Sequence, residues 1–303
     1  MKLPFLDKAL SRFRSINSLS LVRPLMVMPA LACFLLSTGC DSNSTVADFS
    51  ASAKTAVSAG GPIFADFAGT CGREVADRQS FGGFSTDQTL PAECQAIDQK
   101  AQGIEAASKV VLAYFDALNS LASYNTATTG SNFNQALTDA NQFAQFDADR
   151  KAALGALGQA ILTITTSGYQ TKHLRDDVVK TDPHLQIVLA ALEESVTGGG
   201  LYLDMLANEK SKLAARSKEF LLENPNSPAV TLLLDQKWNA DRRSLLAKEN
   251  AARAYVAALK AIADGHSNLA KQAKTINEKQ LIAVLQPYVD QVVPLIPTIR
   301  NGF

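Results

Sequence analysis

The chain has 303 residues, of which 29 are Lys or Arg and 29 are Asp or Glu, so its formal charge at neutral pH is zero. With no basic excess it has nothing to draw it to nucleic acid or to an anionic membrane surface, and neither is expected as an electrostatic partner. Apolar residues make up 47 %, enough for a packed core, and the abundance of Ala, Leu, Gln, Lys and Glu favours helices.

Near the N-terminus, Lys2, Lys8, Arg12, Arg14 and Arg23 precede an apolar run from Leu25 to Leu36 that only Pro29 interrupts. That run has signal-peptide length and is short of the ~20 residues a membrane-spanning helix needs. It ends in Leu35-Leu36-Ser37-Thr38-Gly39-Cys40, small residues that a signal peptidase pocket admits, followed by a thiol. This stretch resembles the lipobox of bacterial lipoproteins. The resemblance implies cleavage before Cys40, a diacylglyceryl thioether on its sulfur, and acylation of the new N-terminus by a fatty acid such as palmitate. Several acyl chains anchor a protein stably, since each buried methylene contributes ~0.8 kcal/mol. Asp41 follows at once, which in enteric lipoproteins favours the inner membrane; the chain would then face the periplasm. Cys33 leaves with the signal. The expected organisation is a signal peptide over 1–39, a flexible tether of small polar residues over 40–55, and a helical domain over 56–303.

Residues 56–66 begin a short helix. Cys71 and Cys94 are the remaining thiols, and in an oxidising compartment two cysteines read as one disulfide. They would close a turn-rich loop over 71–94 that contains Gly72, Gly82, Gly83 and Pro91. A metal or redox pair would want a closer spacing or a neighbouring histidine. The next helix spans about Glu93 to Ala122, with Ile97, Ile104, Val111, Leu112, Phe115, Leu118 and Leu121 at helical spacing. Another covers Asn134 to Ser167 with a break near Phe146. Its half from Ala152 to Ile164 is the most continuously apolar stretch after Cys40, a buried core helix or, as the sharper alternative, a membrane-inserting segment.

Thr181-Asp182-Pro183 reads as a helix start, a capping side chain before a proline. The helix from Pro183 to Glu223 carries Gly198-Gly199-Gly200 in its middle, each glycine costing about 1 kcal/mol relative to alanine. A kink, a close helix crossing or a ligand on the backbone would account for them. Gly198, Gly199, Gly200 and the nearby Tyr202 are therefore the candidate ligand-binding residues. Asn224 to Pro228 forms a turn, and the longest helix follows from Ala229 to Thr275, with Gly265 its one plausible interruption. A short turn between long helices implies an antiparallel hairpin. Asn277 caps a last helix that Pro287 kinks or ends, and Pro294 and Pro297 make the tail extended, its apolar residues packing back on the bundle. Tyr114-x-x-Ala-Leu and Tyr255-x-x-Ala-Leu echo one another, as duplicated units or by convergence.

The histidines (His173, His184 and His266) are far apart on different elements and read as surface or interface residues; His173 with Asp176 and Asp177 reads as a solvated face. No HExxH, Cys/His cluster, GxSxG, SxxK or phosphate-binding glycine pattern is present. Glu193 and Glu194 are adjacent and diverge on a helix, and the charges over 208–218 read as a wetted face with local ion pairs. The sequence thus predicts an all-α, elongated antiparallel bundle of about five to seven helices with one disulfide-closed loop. Its expected function is non-catalytic, with no cofactor and no metal. It would be a membrane-anchored accessory, assembly or immunity factor that meets a protein partner in the envelope. The alternatives are a binding module for a small apolar or cell-wall-derived ligand, and a pore-forming helical protein.

Overall fold

The computed structural model describes residues 42–81, 91–123, 125, 132–144, 146–166, 174–199, 201–223, 225, 227–273 and 278–303. Among them the chain is all-α, with ten helices and no strand. In order these are α1 (Ser42–Ala59), α2 (Gly61–Phe81), α3 (Ala92–Ala122), α4 (Phe133–Gln142), α5 (Ala148–Thr166), α6 (Leu174–Thr197), α7 (Tyr202–Glu223), α8 (Pro228–Gln272), α9 (Glu278–Val292) and α10 (Leu295–Arg300). Seven of them (α1 to α3 and α5 to α8) have 18 residues or more and make the bundle.

The expected tether over residues 40–55 is overturned from Ser42 onward, because that stretch is α1. Val46, Phe49, Ala53, Ala56 and Val57 fall at helical spacing and are fully buried. The Ser and Thr residues between them disguise the stripe. α1 packs on α3 and α9 and crosses α8. Gly265 faces the ring of Phe49, whereas Gly60, at the α1–α2 corner, faces the ring of Tyr255. Numbers rise along α1 as they fall along α8, so these helices are antiparallel.

The disulfide between Cys71 and Cys94 is present and joins α2 to α3, with the two Cα atoms 5.4 Å apart. The loop it closes is smaller than expected, because α2 runs to Phe81 and takes Gly72 inside it; residues 82–90 lie outside the described residues. α3 agrees with its expected span to one residue. The break near Phe146 separates α4 from α5. Ala153, Leu154, Leu157, Ile161 and Ile164 of α5 are buried against α3 and α6. No helix among the described residues is long and apolar enough to cross a membrane.

Two proline readings are corrected. α6 begins at Leu174, not at Pro183, which lies inside it. Leu174 and Val178 are buried in the turns before it, and Thr181 donates its hydroxyl to the Asp177 carbonyl at 2.7 Å. Burial of that turn outweighs the ~3 kcal/mol of an interior proline. The tail beyond Val293 is not extended: Pro294 takes a helical conformation and leads into α10, whose Ile296 and Ile299 are buried. α8 continues unbroken through Gly265.

Candidate functional site

The glycine run is a helix break. α6 ends at Thr197, the Gly198 amide donates to the Glu194 carbonyl at 2.7 Å, and α7 starts again at Tyr202. Gly198 is confined, since an added Cβ would sit 2.7 Å from that carbonyl, whereas Gly199 faces open space. Gly200 lies outside the described residues. The break opens a cleft of about 240 Å³ to which Gly199 and Leu201 contribute. Phe143 and Phe146 form one wall, their rings edge to face with centroids 4.8 Å apart. Phe143 is seated by Gly103 of α3, where any Cβ would stand 2.3 Å from its ring. Lys100, Arg150, Glu194 and Ser195 supply the polar lining. Arg150 is ion-paired to Glu194. Burial draws the Lys100 ammonium below its ordinary pKa, and it has no carboxylate partner among the described residues.

Tyr202 does not line that cleft. Its side chain is buried under α2, edge to face with Phe67, and its hydroxyl donates to Asp66 Oδ2 at 2.7 Å. The same carboxylate accepts from Arg73 Nη1 at 2.7 Å and from Lys248 Nζ at 2.7 Å. Arg73 also grips Glu209 of α7 at 2.8 Å. Burial alone would raise the Asp66 pKa, but the hydrogen bonds from Lys248, Arg73 and Tyr202 hold it below the ordinary value. The Tyr202 hydroxyl is pushed upward by burial and by the neighbouring Asp66 charge. Four charged groups and a phenol therefore clamp α2, α7 and α8 together. The charges over 208–218 are corrected accordingly: Glu209 and Lys212 pair across to Arg73 and Glu74 of α2 instead of along α7.

His266, expected at a surface or interface, is fully buried. Its Nδ1 is 2.8 Å from Asp182 Oδ1 and its Nε2 is 2.8 Å from the Tyr114 hydroxyl, which also meets Thr181 Oγ1 at 2.8 Å. Asp182 is held below its ordinary pKa; burial opposes this, and the bonds from His266 and Gln186 outweigh it. An ionised carboxylate only accepts, so Nδ1 carries a proton and Nε2 shares with the tyrosine hydroxyl. Enclosed by Tyr114 and Phe115, the ring joins α3, α6 and α8 and meets no solvent. Its register betrays it in the sequence, because His266 falls on the apolar stripe of Leu259, Ile262 and Leu269.

His184 is half-buried on α6, and His173 lies outside the described residues, as does Cys40. Asp176 is exposed. Among the described residues, no group of three or more His, Cys, Asp or Glu could hold a metal ion. Glu193 and Glu194 diverge as expected, to Lys260 and to Arg150.

The remaining feature is the α7–α8 hairpin. Leu206 is the last buried residue of α7 and Leu245 the first of α8. Between them the two helices form an arm of about 25 Å, at 1.5 Å per residue. Near its tip Leu222 is 71 %, Leu233 65 % and Leu232 58 % exposed, with Leu221 beside them. Among the described residues no third helix covers the arm there. Comparison with known proteins finds no match to a family model, to a curated protein or to a solved structure.

Proposed function

We propose that this chain is a lipid-anchored envelope protein that holds an interaction arm away from its membrane and presents it to a protein partner in the periplasm. One observation carries the reading: the start of α1, next to the residue that would be acylated, and the arm tip belong to opposite ends of α8. α1 starts two residues after Cys40, so an acylated Cys40 lies within about 7 Å of it by chain reach. α1 and α8 are antiparallel, with Phe49 at Gly265, which brings Ser42 level with the last turn of α8. Leu232 and Leu233 are in its second turn, about 60 Å away at helical rise. Their exposed leucines thus face away from the bilayer that would hold Cys40, and a protein surface is the apolar partner within reach. The Asp66 clamp at the root gives the arm a fixed direction. The pore-forming alternative has no such support, since the apolar residues of α5 are already used in the core.

Two experiments test the two halves. Labelled palmitate should enter the wild-type chain, and Cys40→Ser should release it from the membrane fraction; unlabelled, membrane-bound wild type overturns the anchor. A photo-crosslinker at Leu222 or Leu233 should capture one specific envelope protein, and the Leu222→Asp, Leu233→Asp double variant, folded and anchored, should lose it. Crosslinking to lipid alone, or to nothing, would overturn the arm's role.

A further inference from the structure

We propose that the cleft at the α6–α7 break binds a small organic monoanion with an aromatic or short apolar body, its carboxylate on the Lys100 ammonium and its body against Phe143 and Phe146. The inference is independent of the anchor and the arm. About 240 Å³ is the volume of roughly eight water molecules at ~30 Å³ each, which suits a ligand of about ten non-hydrogen atoms. The sign of the ligand follows from the ion pairs. Arg150 also pairs with the exposed Asp147 outside the cleft, but among the lining residues it is matched by Glu194, so the charge left on the lining is that of Lys100. The wall is built for the purpose and not a gap between loosely packed helices. Gly103 gives up a side chain so that the Phe143 ring can rest on α3, and that ring braces Phe146. Ser195 is buried at the rim, its hydroxyl donated to the Leu192 carbonyl at 2.5 Å, which leaves the serine oxygen as an acceptor only. Recognition of the carboxylate therefore falls to Lys100, while the aromatic pair favours a ring or a short chain. Gly199 lines the cleft and faces open space.

The test is titration calorimetry of the full chain lacking its signal segment, with phenylacetate as the probe and benzylamine as its cationic counterpart. Phenylacetate should bind saturably at one site and benzylamine should not. Lys100→Gln should weaken phenylacetate at least tenfold with the melting temperature unchanged. Gly199→Glu, which adds a like charge where there is space for it, should abolish binding in a folded protein. Equal binding of both probes, undiminished binding in either variant, or no saturable binding of phenylacetate by the wild type would each overturn the proposal.

Discussion

Tyr202 and Asp66, 136 residues apart in the chain, are joined by a 2.7 Å hydrogen bond that ties the first turn of α7 to α2. Lys248 brings α8 to the same carboxylate, and Arg73 closes the group by reaching Glu209. The arm has little core of its own beyond this point, so its direction is decided at its root by a polar clamp. A carboxylate that accepts from three elements at once holds them at fixed spacing, which apolar side chains alone do less well.

Replacing Asp66 with alanine should therefore loosen the arm before it unfolds the bundle. Arg73 and Lys248 would lose their shared counter-charge, and the expected loss is about 2–4 kcal/mol. Tyr202→Phe should cost about 1 kcal/mol. Urea denaturation gives the stabilities, and hydrogen exchange should show faster exchange in α7 than in α3 for both variants.

Acid should destabilise the protein through Asp66 and Asp182. Both carboxyls are held below their ordinary value of 3.8 in the folded chain, so the unfolded chain takes up protons first. Their contribution is fully present above that ordinary value and is lost as pH falls through the lower, folded values. Melting temperatures measured from pH 6 down to about pH 2 should fall with a steep acid limb below pH ~4. Asp182→Asn should start lower and flatten that limb.

Reduction of the Cys71–Cys94 bond, 23 residues apart in sequence, should lower stability by about 3 kcal/mol on chain-entropy grounds. Because it joins α2 to α3, the Cys71→Ser, Cys94→Ser variant should match the reduced wild type in thermal unfolding. The wild type without reductant should stand apart from both.

Gly265→Ala should destabilise although alanine is the better helix former. The new Cβ would stand 2.6 Å from the Phe49 ring, and that ring is fully buried and edge to face with Phe115. Overpacking of roughly 1–3 kcal/mol exceeds the ~1 kcal/mol gained in helix propensity. The denaturation midpoint should fall, and Phe49→Leu in the same chain should recover part of the loss.

Tyr114→Phe removes the hydroxyl shared by His266 and Thr181 and leaves a buried ring nitrogen without its partner. The expected cost is about 1–3 kcal/mol. Nitrogen chemical shifts of the imidazole should report it directly: Nε2 should move in the variant, while Nδ1, still facing Asp182, should stay close to its wild-type position.

Most helices were legible because amphipathic spacing is a local property. The stripe on α3 and the start of α8 depend on residues within a few turns of each other, and both agree with their expected positions to one residue. α1 escaped for a local reason as well. Its buried stripe of Val46, Phe49, Ala53, Ala56 and Val57 is set among Ser, Thr and further alanines, a composition shared by tethers and by helices, and only the partners across the core decide between them. Pro183 lies inside α6 and Pro294 leads into α10 because a proline rule describes an isolated helix, whereas burial of the surrounding turns outweighs it here.

What the sequence determined by itself is the helical class, the pairing of the only two cysteines beyond Cys40, and the place where a glycine run costs a helix enough to need an explanation. Periodicity, thiol count and backbone entropy act over short distances or require no distance at all. The tertiary structure alone decided that His266 is enclosed, that Tyr202 serves a clamp and not a ligand, that Lys100 has no carboxylate partner among the described residues, and that Leu222 and Leu233 are exposed. Each of those depends on which helices meet, and the sequence pattern of any single helix is the same whether its apolar stripe finds a neighbour or not.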